Sequence, residues 1–267
     1  MIGKRRLYGL TGILLLGLLF AATAGCAGGK GQPGQAGGKA PATLLVYSGA
    51  GLKRPVEEIG ATFEKQTGIK VTYTFGGSAQ LNSQILLTKK GDVYLPGDVQ
   101  ELEPLKEMVK WQKDVVYHVP TLAVPKNNPA GVRTLADLGR PGVKVALGDP
   151  QANPIGKLAG RLLEKYGLAE AVNKNVVVRT PTVSELVVYV STRQADAAII
   201  WEENYRGFQD QVELIPLPEL QKFTKTVPVA VLACSQETAA ARQLAEFMIS
   251  APAQQIWEQC GYKPVKS

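Results

Sequence analysis

The chain has 267 residues, 30 lysines and arginines against 23 acids, one histidine and three cysteines. Its basic residues are scattered among acids, as in GLKRPVEEIG and PLKEMVKWQKD, and no basic stripe is interleaved with aromatics, which argues against nucleic acid as a partner. A lone histidine and the lack of CxxC or HxxxH spacing argue equally against a metal cage or a zinc enzyme.

Lys4, Arg5 and Arg6 precede an apolar run from Leu7 to Phe20, followed by small residues up to Cys26. A basic start, a short apolar core and small residues predict a secretory signal peptide over 1–25. The run is shorter than the ~20 residues a spanning helix needs. Thr23-Ala24-Gly25-Cys26 resembles the bacterial lipobox, with Thr23 where a leucine is usual, and predicts lipidation of Cys26. The tract AGGKGQPGQAGGKAP has no apolar side chain larger than alanine, so 26–41 reads as a flexible tether. Loss of Lys4, Arg5 and Arg6 lowers the formal charge from +7 to +4. The expected product is exported and held to the membrane by lipid, facing the periplasm or the cell exterior. An oxidising location permits a disulfide between Cys234 and Cys260; two buried free thiols are the default reading.

From residue 42 onward, β-rich and helical patterns alternate. TLLVYS, VTYTF, GDVYLPG, VVYHVPTLAVP, VKVALGD, VVVRT, ADAAIIW, VELIPLP and VPVAVLA are rich in valine and isoleucine and end in Gly, Pro or Asp. Between them, PVEEIGATFEKQTG places Val56, Ile59 and Phe63 on one helical face and stops at Gly68. PIGKLAGRLLEKYGL does the same with Leu158, Leu162 and Leu163, and SELVVYVSTRQAD and AARQLAEFMIS follow suit. Apolar strands alternating with helices predict an α/β architecture, with parallel-rich sheets covered on both faces. Ligands in such sheets bind beyond the carboxyl ends of the strands, which is where Ser48 and Ser78 fall.

Enzyme signatures are missing. A nucleophile elbow reads GxSxG, but Gly76-Gly77-Ser78-Ala79 is followed by Gln80, and no GxxxxGK[ST] loop occurs. His118, inside VVYHVPTL, reads as a structural histidine. Anion capture fits better. A helix N-terminus offers unpaired N–H groups and partial positive charge, a serine adds a hydroxyl, and glycines let backbone come close. SGAG at Ser48 and GGS at Ser78 both have this form, and GDPQANPIG opens a third helix. Each serine taken alone is also compatible with a plain helix cap. Asp149 and Glu202 lie near these turns and would suit an anion that still carries a proton, such as phosphate. An exported enzyme would require Ser78 beside His118 or a shifted carboxylate.

The ordered series SGAGL, GGSAQL, GDVYLPGD, TLADL, VALGDPQANPIG, ADAAIIWEENY and VPVAVL, from about Leu44 to Val265, resembles the molybdate/tungstate-binding proteins of bacterial and archaeal ABC importers. The resemblance implies the type II periplasmic-binding-protein fold: two α/β lobes joined by two crossover strands, closing over an oxyanion. Lobe I would comprise 42–121 and 227–267, lobe II 122–226, with crossovers in VVYHVPTLAVP and TVPVAVLA. It implies donors at Ser48 and Ser78 with neighbouring amides such as Gly49, and backbone donors at Ile155 and Val183. Trp201 stands where many members have a tyrosine whose hydroxyl donates. In archaeal members an aspartate and a glutamate expand the metal's coordination; here Glu202 matches the glutamate, but Asn153 replaces the aspartate. The expectation is therefore a four-coordinate oxyanion with Glu202 turned aside. No cofactor, no catalytic role and a monomer are implied, with molybdate or tungstate as cargo and a membrane permease as partner.

Overall fold

The computed structural model describes residues 42–265; the signal peptide, Cys26 and the tether expected over 1–41 lie outside the described residues. The first elements are β1 (Thr43–Gly49), α1 (Lys53–Thr67), β2 (Lys70–Gly76), α2 (Ser78–Thr88), β3 (Val93–Leu95), β4 (Val109–His118) and β5 (Pro120–Pro125). Next come β6 (Val145–Gly148), α3 (Pro154–Lys165), α4 (Ala169–Asn173), β7 (Val176–Thr180), α5 (Val183–Ser191), β8 (Ala197–Trp201), β9 (Val212–Ile215) and α6 (Pro218–Gln221). The last are β10 (Lys225–Leu232), α7 (Thr238–Phe247), α8 (Ala251–Gln259) and β11 (Lys263–Pro264). Short 3₁₀ turns include Ala50–Leu52, Val99–Met108 and Glu202–Tyr205.

The strands form two mixed sheets, ordered β11-β4-β10-β3-β1-β2 and β7-β6-β8-β5-β9. β1 runs parallel to β2 and β3, and β6 runs parallel to β7 and β8. Helical connections between strands of one sheet give this parallel pairing. Antiparallel pairs arise where the chain changes sheet. β4 ends in the first sheet at His118, and after Val119 alone β5 starts in the second. The chain returns from β9 through α6 to β10, whose Lys225 lies opposite His118. VVYHVPTLAVP, read as one strand, is thus two strands in different sheets.

Helices cover the sheets with the faces their sequences mark. Val56, Ile59 and Phe63 of α1 are buried, and Gly68 ends the helix at φ 74°, a left-handed conformation suited to glycine. Phe63 meets Phe247 of α7 with ring centroids 5.6 Å apart. In the second sheet, β5 and β8 are buried along their whole length, as central strands covered on both faces should be. Leu158 and Leu162 of α3 and Leu186 and Val190 of α5 pack against them. The two remaining thiols are free: Cys260 is buried and Cys234 half-buried, and burial pushes the pKa of both upward.

Candidate functional site

The carboxyl ends of the strands from both sheets open onto one small cleft, with a cavity volume of about 30 Å³. Its walls are the turns Gly49–Leu52 after β1, Gly76–Ser78 after β2 and Gly97 after β3 on one side. Asn153–Ile155 after β6 and Pro181–Val183 after β7 form the other side, with His118 and Trp201 completing the lining. Among the described residues, no lysine, arginine, aspartate or glutamate lines it, and His118 is the one titratable side chain that does.

Three helices start at this cleft, and their first residues explain what is left over for a ligand. The N-cap of α2 is Gly77, and Ser78 is the first helical residue with no capping side-chain bond. Ser78 Oγ instead accepts from the Gly97 N–H at 3.2 Å, so its own O–H remains to donate. At α3 the cap is Asn153: its Oδ1 accepts from the Gly156 N–H at 2.8 Å and its Nδ2 donates to the Thr180 carbonyl at 2.9 Å. Pro154 has no N–H, so Ile155 supplies the first free amide of that helix. At α5, Thr182 caps by accepting from the Glu185 N–H, and Val183 begins the helix. The positive ends of three helices thus converge on a small cleft without charged walls, an arrangement suited to an anion.

The glycines in these turns serve a second purpose. A Cβ on Gly77 would stand 2.8 Å from the Pro181 carbonyl oxygen and 2.9 Å from that of Ala152. One on Gly51 would stand 2.8 Å from Val183 Cγ1 and 2.9 Å from Asn204 Nδ2. Both obstacles belong to the opposite side of the cleft. Absence of a side chain is what lets the two sides touch, as in the Ala79 N–H bond to the Ala152 carbonyl at 3.3 Å and the Asn204 Nδ2 bond to the Gly51 carbonyl at 3.1 Å.

His118, a structural histidine by its sequence setting, is buried in the cleft wall. It is 2% exposed, lies flat against Trp201 with ring centroids 4.9 Å apart, and its Nδ1 is hydrogen-bonded to Glu203 Oε1. Tyr262 packs at an angle against the same ring, 5.9 Å away. Burial first, then the nearby Glu203, raises the Tyr262 pKa well above its ordinary value, so its hydroxyl stays a donor, bonding the Gly51 carbonyl at 2.6 Å. The signal that points to His118 is topological: it is the last residue of β4, where the chain passes from one sheet to the other.

Of the residues singled out in the sequence, Gly49, Ser78, Asn153, Ile155, Val183 and Trp201 are brought together at the cleft. Trp201 Nε1 makes no hydrogen bond among the described residues. Ser48 and Glu202 do not line the cleft. Ser48 is fully buried inside β1, and its hydroxyl donates to the Gly49 carbonyl at 3.4 Å. Glu202 points away and faces Lys263 Nζ of β11 at 3.5 Å. Asp149 turns its carboxylate to the Gln151 N–H at 2.8 Å.

The family model for bacterial extracellular solute-binding proteins matches residues 44–263. The chain belongs to that family. This solute-binding protein is 32% identical over 227 residues to a binding protein of Haemophilus influenzae, covering 84% of its own length and 92% of the relative's. It is 24% identical over 262 residues to the molybdate-binding protein ModA of Mycobacterium tuberculosis, covering 96% and 98%. Among solved structures, it resembles the sulfate-binding protein SubI of Mycobacterium tuberculosis with a TM-score of 0.72 at 23% identity, covering 84% of this chain and 88% of the other. The solute-binding protein has the two-lobed type II periplasmic-binding-protein fold, its mixed sheets flanked by helices and joined by two crossings.

Proposed function

We propose that the protein captures molybdate or tungstate outside the cytoplasm and delivers it to the permease of an ABC importer. The observation that carries this reading is the cleft itself: three helix N-termini, the Ser78 hydroxyl and, among the described residues, no charged wall residue. A tetrahedral dianion is satisfied there by N–H and O–H donors alone, with Ser78 and the amides of Ile155 and Val183 as the leading contacts. The lobes, 42–121 with 227–267 and 122–226, close over the anion through the glycine contacts. The ModA relatives support molybdate as the cargo. Cys26 carries the lipid that keeps the protein beside its permease, so Cys26→Ser releases it from the membrane fraction.

An enzymatic reading is poorly served by the same geometry. Ser78 Oγ is engaged with Gly97 rather than with His118, whose Nδ1 is engaged with Glu203. The family's solute-binding character agrees with a role in capture rather than catalysis.

The test is calorimetric titration of the purified chain with molybdate, tungstate, sulfate and phosphate in parallel. Tight binding of molybdate and tungstate, with sulfate and phosphate weak, is expected. Preference for sulfate, in line with the SubI likeness, or for phosphate would replace the cargo; no binding by any of the four would end the oxyanion reading.

A further inference from the structure

We propose that His118 contacts the bound anion and makes its capture proton-linked, with Glu203 as the positioning residue that holds the ring. This rests on the oxyanion reading above. Three observations carry it. His118 lines the cleft, and among the described residues it is the one lining side chain that can change charge. Its Nδ1 is taken by Glu203, whose side chain is 2% exposed, while Nε2 has no hydrogen-bond partner among the described residues. Trp201 lies flat on the ring and fixes its plane.

The chemistry follows from counting protons on the pair. An ionised carboxylate only accepts, so Nδ1 carries the proton that bonds Glu203. With that proton alone, the pair has a net charge of −1 and Nε2 is a lone pair, and both features repel a bare dianion. A second proton makes the pair neutral and turns Nε2 into a donor. The two states belong to the pair as a unit. An anion with no proton of its own, such as molybdate, therefore favours the two-proton state and draws one proton in when it binds.

The other ionisable groups around the ring do not supply this function. Lys225, opposite His118 in the β10 ladder, is paired with Asp98 at 3.3 Å. Lys263 of β11 lies in register with the neighbouring Tyr117 and faces Glu202. Tyr262 stays protonated and bonds Gly51.

The experiment titrates the purified full chain with sodium molybdate at pH 8 in two buffers of different ionisation enthalpy. The difference in heat gives the protons exchanged, and linkage expects a net uptake on binding. His118→Gln, which keeps a polar planar side chain but cannot take up the proton, abolishes the uptake; circular dichroism and Tm confirm that this variant folds. Glu203→Gln keeps an acceptor for Nδ1 but removes the negative charge that favours imidazolium, so it binds about tenfold more weakly than wild type at pH 8, with a deficit that shrinks as the pH falls. Zero uptake by wild type, unchanged uptake in His118→Gln, or a pH-independent deficit in Glu203→Gln overturns the proposal while leaving the oxyanion reading intact. Failure of wild type to bind molybdate overturns both.

Discussion

Lys157 Nζ of α3, the helix after β6, lies 2.6 Å from Glu101 Oε1 in the 3₁₀ stretch before β4, joining segments that follow strands of the two different sheets. The Glu101 side chain is 6% exposed and that of Lys157 44%. The carboxylate is therefore committed to this partner, while the ammonium keeps part of its water. The pair contributes to closure only when the two sides are together.

Lys157→Met is expected to weaken anion binding by about fivefold, mainly through faster release, since a half-exposed pair is worth roughly 1 kcal/mol. Stopped-flow dissociation of molybdate from the variant checks this. A release rate equal to wild type would mean the pair is ornamental to closure.

Gly77→Ala tests the close approach of the turns. Gly77 has φ −71° and ψ 146°, which alanine adopts without strain, so its own side of the cleft should fold normally. The added methyl nevertheless meets the Ala152 and Pro181 carbonyls across the cleft. Overpacking of this kind costs about 1–3 kcal/mol, and it falls on the closed state. Affinity should drop about tenfold or more with little change in the ligand-free Tm. Small-angle scattering with saturating molybdate should show a less compact particle than wild type under the same conditions.

The two serines of the glycine turns should now part company. Ser78→Ala removes a hydroxyl at the cleft, and a hydrogen bond to a charged group is worth about 1.5–3 kcal/mol, so a loss of at least tenfold is expected. Ser48→Ala removes a hydroxyl that bonds its own chain inside β1, so its affinity should stay much nearer wild type. Equal losses in both variants would show that Ser48 reaches the anion after all.

Glu202 and Asn153 bear on coordination. Asn153 spends both ends of its amide on α3 and β7, and Glu202 faces Lys263. Neither is free to bind a metal centre in this arrangement. X-ray absorption on the tungstate complex should therefore show four oxygen neighbours, and Glu202→Gln should change affinity by less than about twofold, as for an exposed pair. Six oxygen neighbours would make a carboxylate a ligand.

Much of the frame could be read from periodicity, because β1, β5, β8 and β10 are apolar runs and α1 and α3 bury one clear stripe each. The first half of β4 escaped notice for a physical reason. Residues Val109–Asp114 carry Lys110 and Lys113 and alternate between half-buried and exposed, so no apolar run announces a strand that β10 nonetheless holds by its backbone. β11 has two residues and exists only through pairing with β4. At the site, the turns were legible because glycine, serine and proline mark them locally. The place of His118 in the cleft wall was not, since it depends on a crossing between sheets and on Glu203, 85 residues away. The two adjacent acids of WEENY show the same limit: Glu202 turns outward to Lys263 and Glu203 inward to His118, and nothing local distinguishes them.

The stacking of Trp201 on His118 gives this protein an optical handle. Of its three tryptophans, Trp111 lies under the Arg242 guanidinium, 4.0 Å from ring centroid to charge. Trp257 is buried, with its indole N–H donating to the Met248 carbonyl. Neither lines the cleft, so an emission change on adding anion belongs to Trp201. The closure of the cleft is therefore expected to be readable from a single intrinsic fluorophore, without a dye or a label.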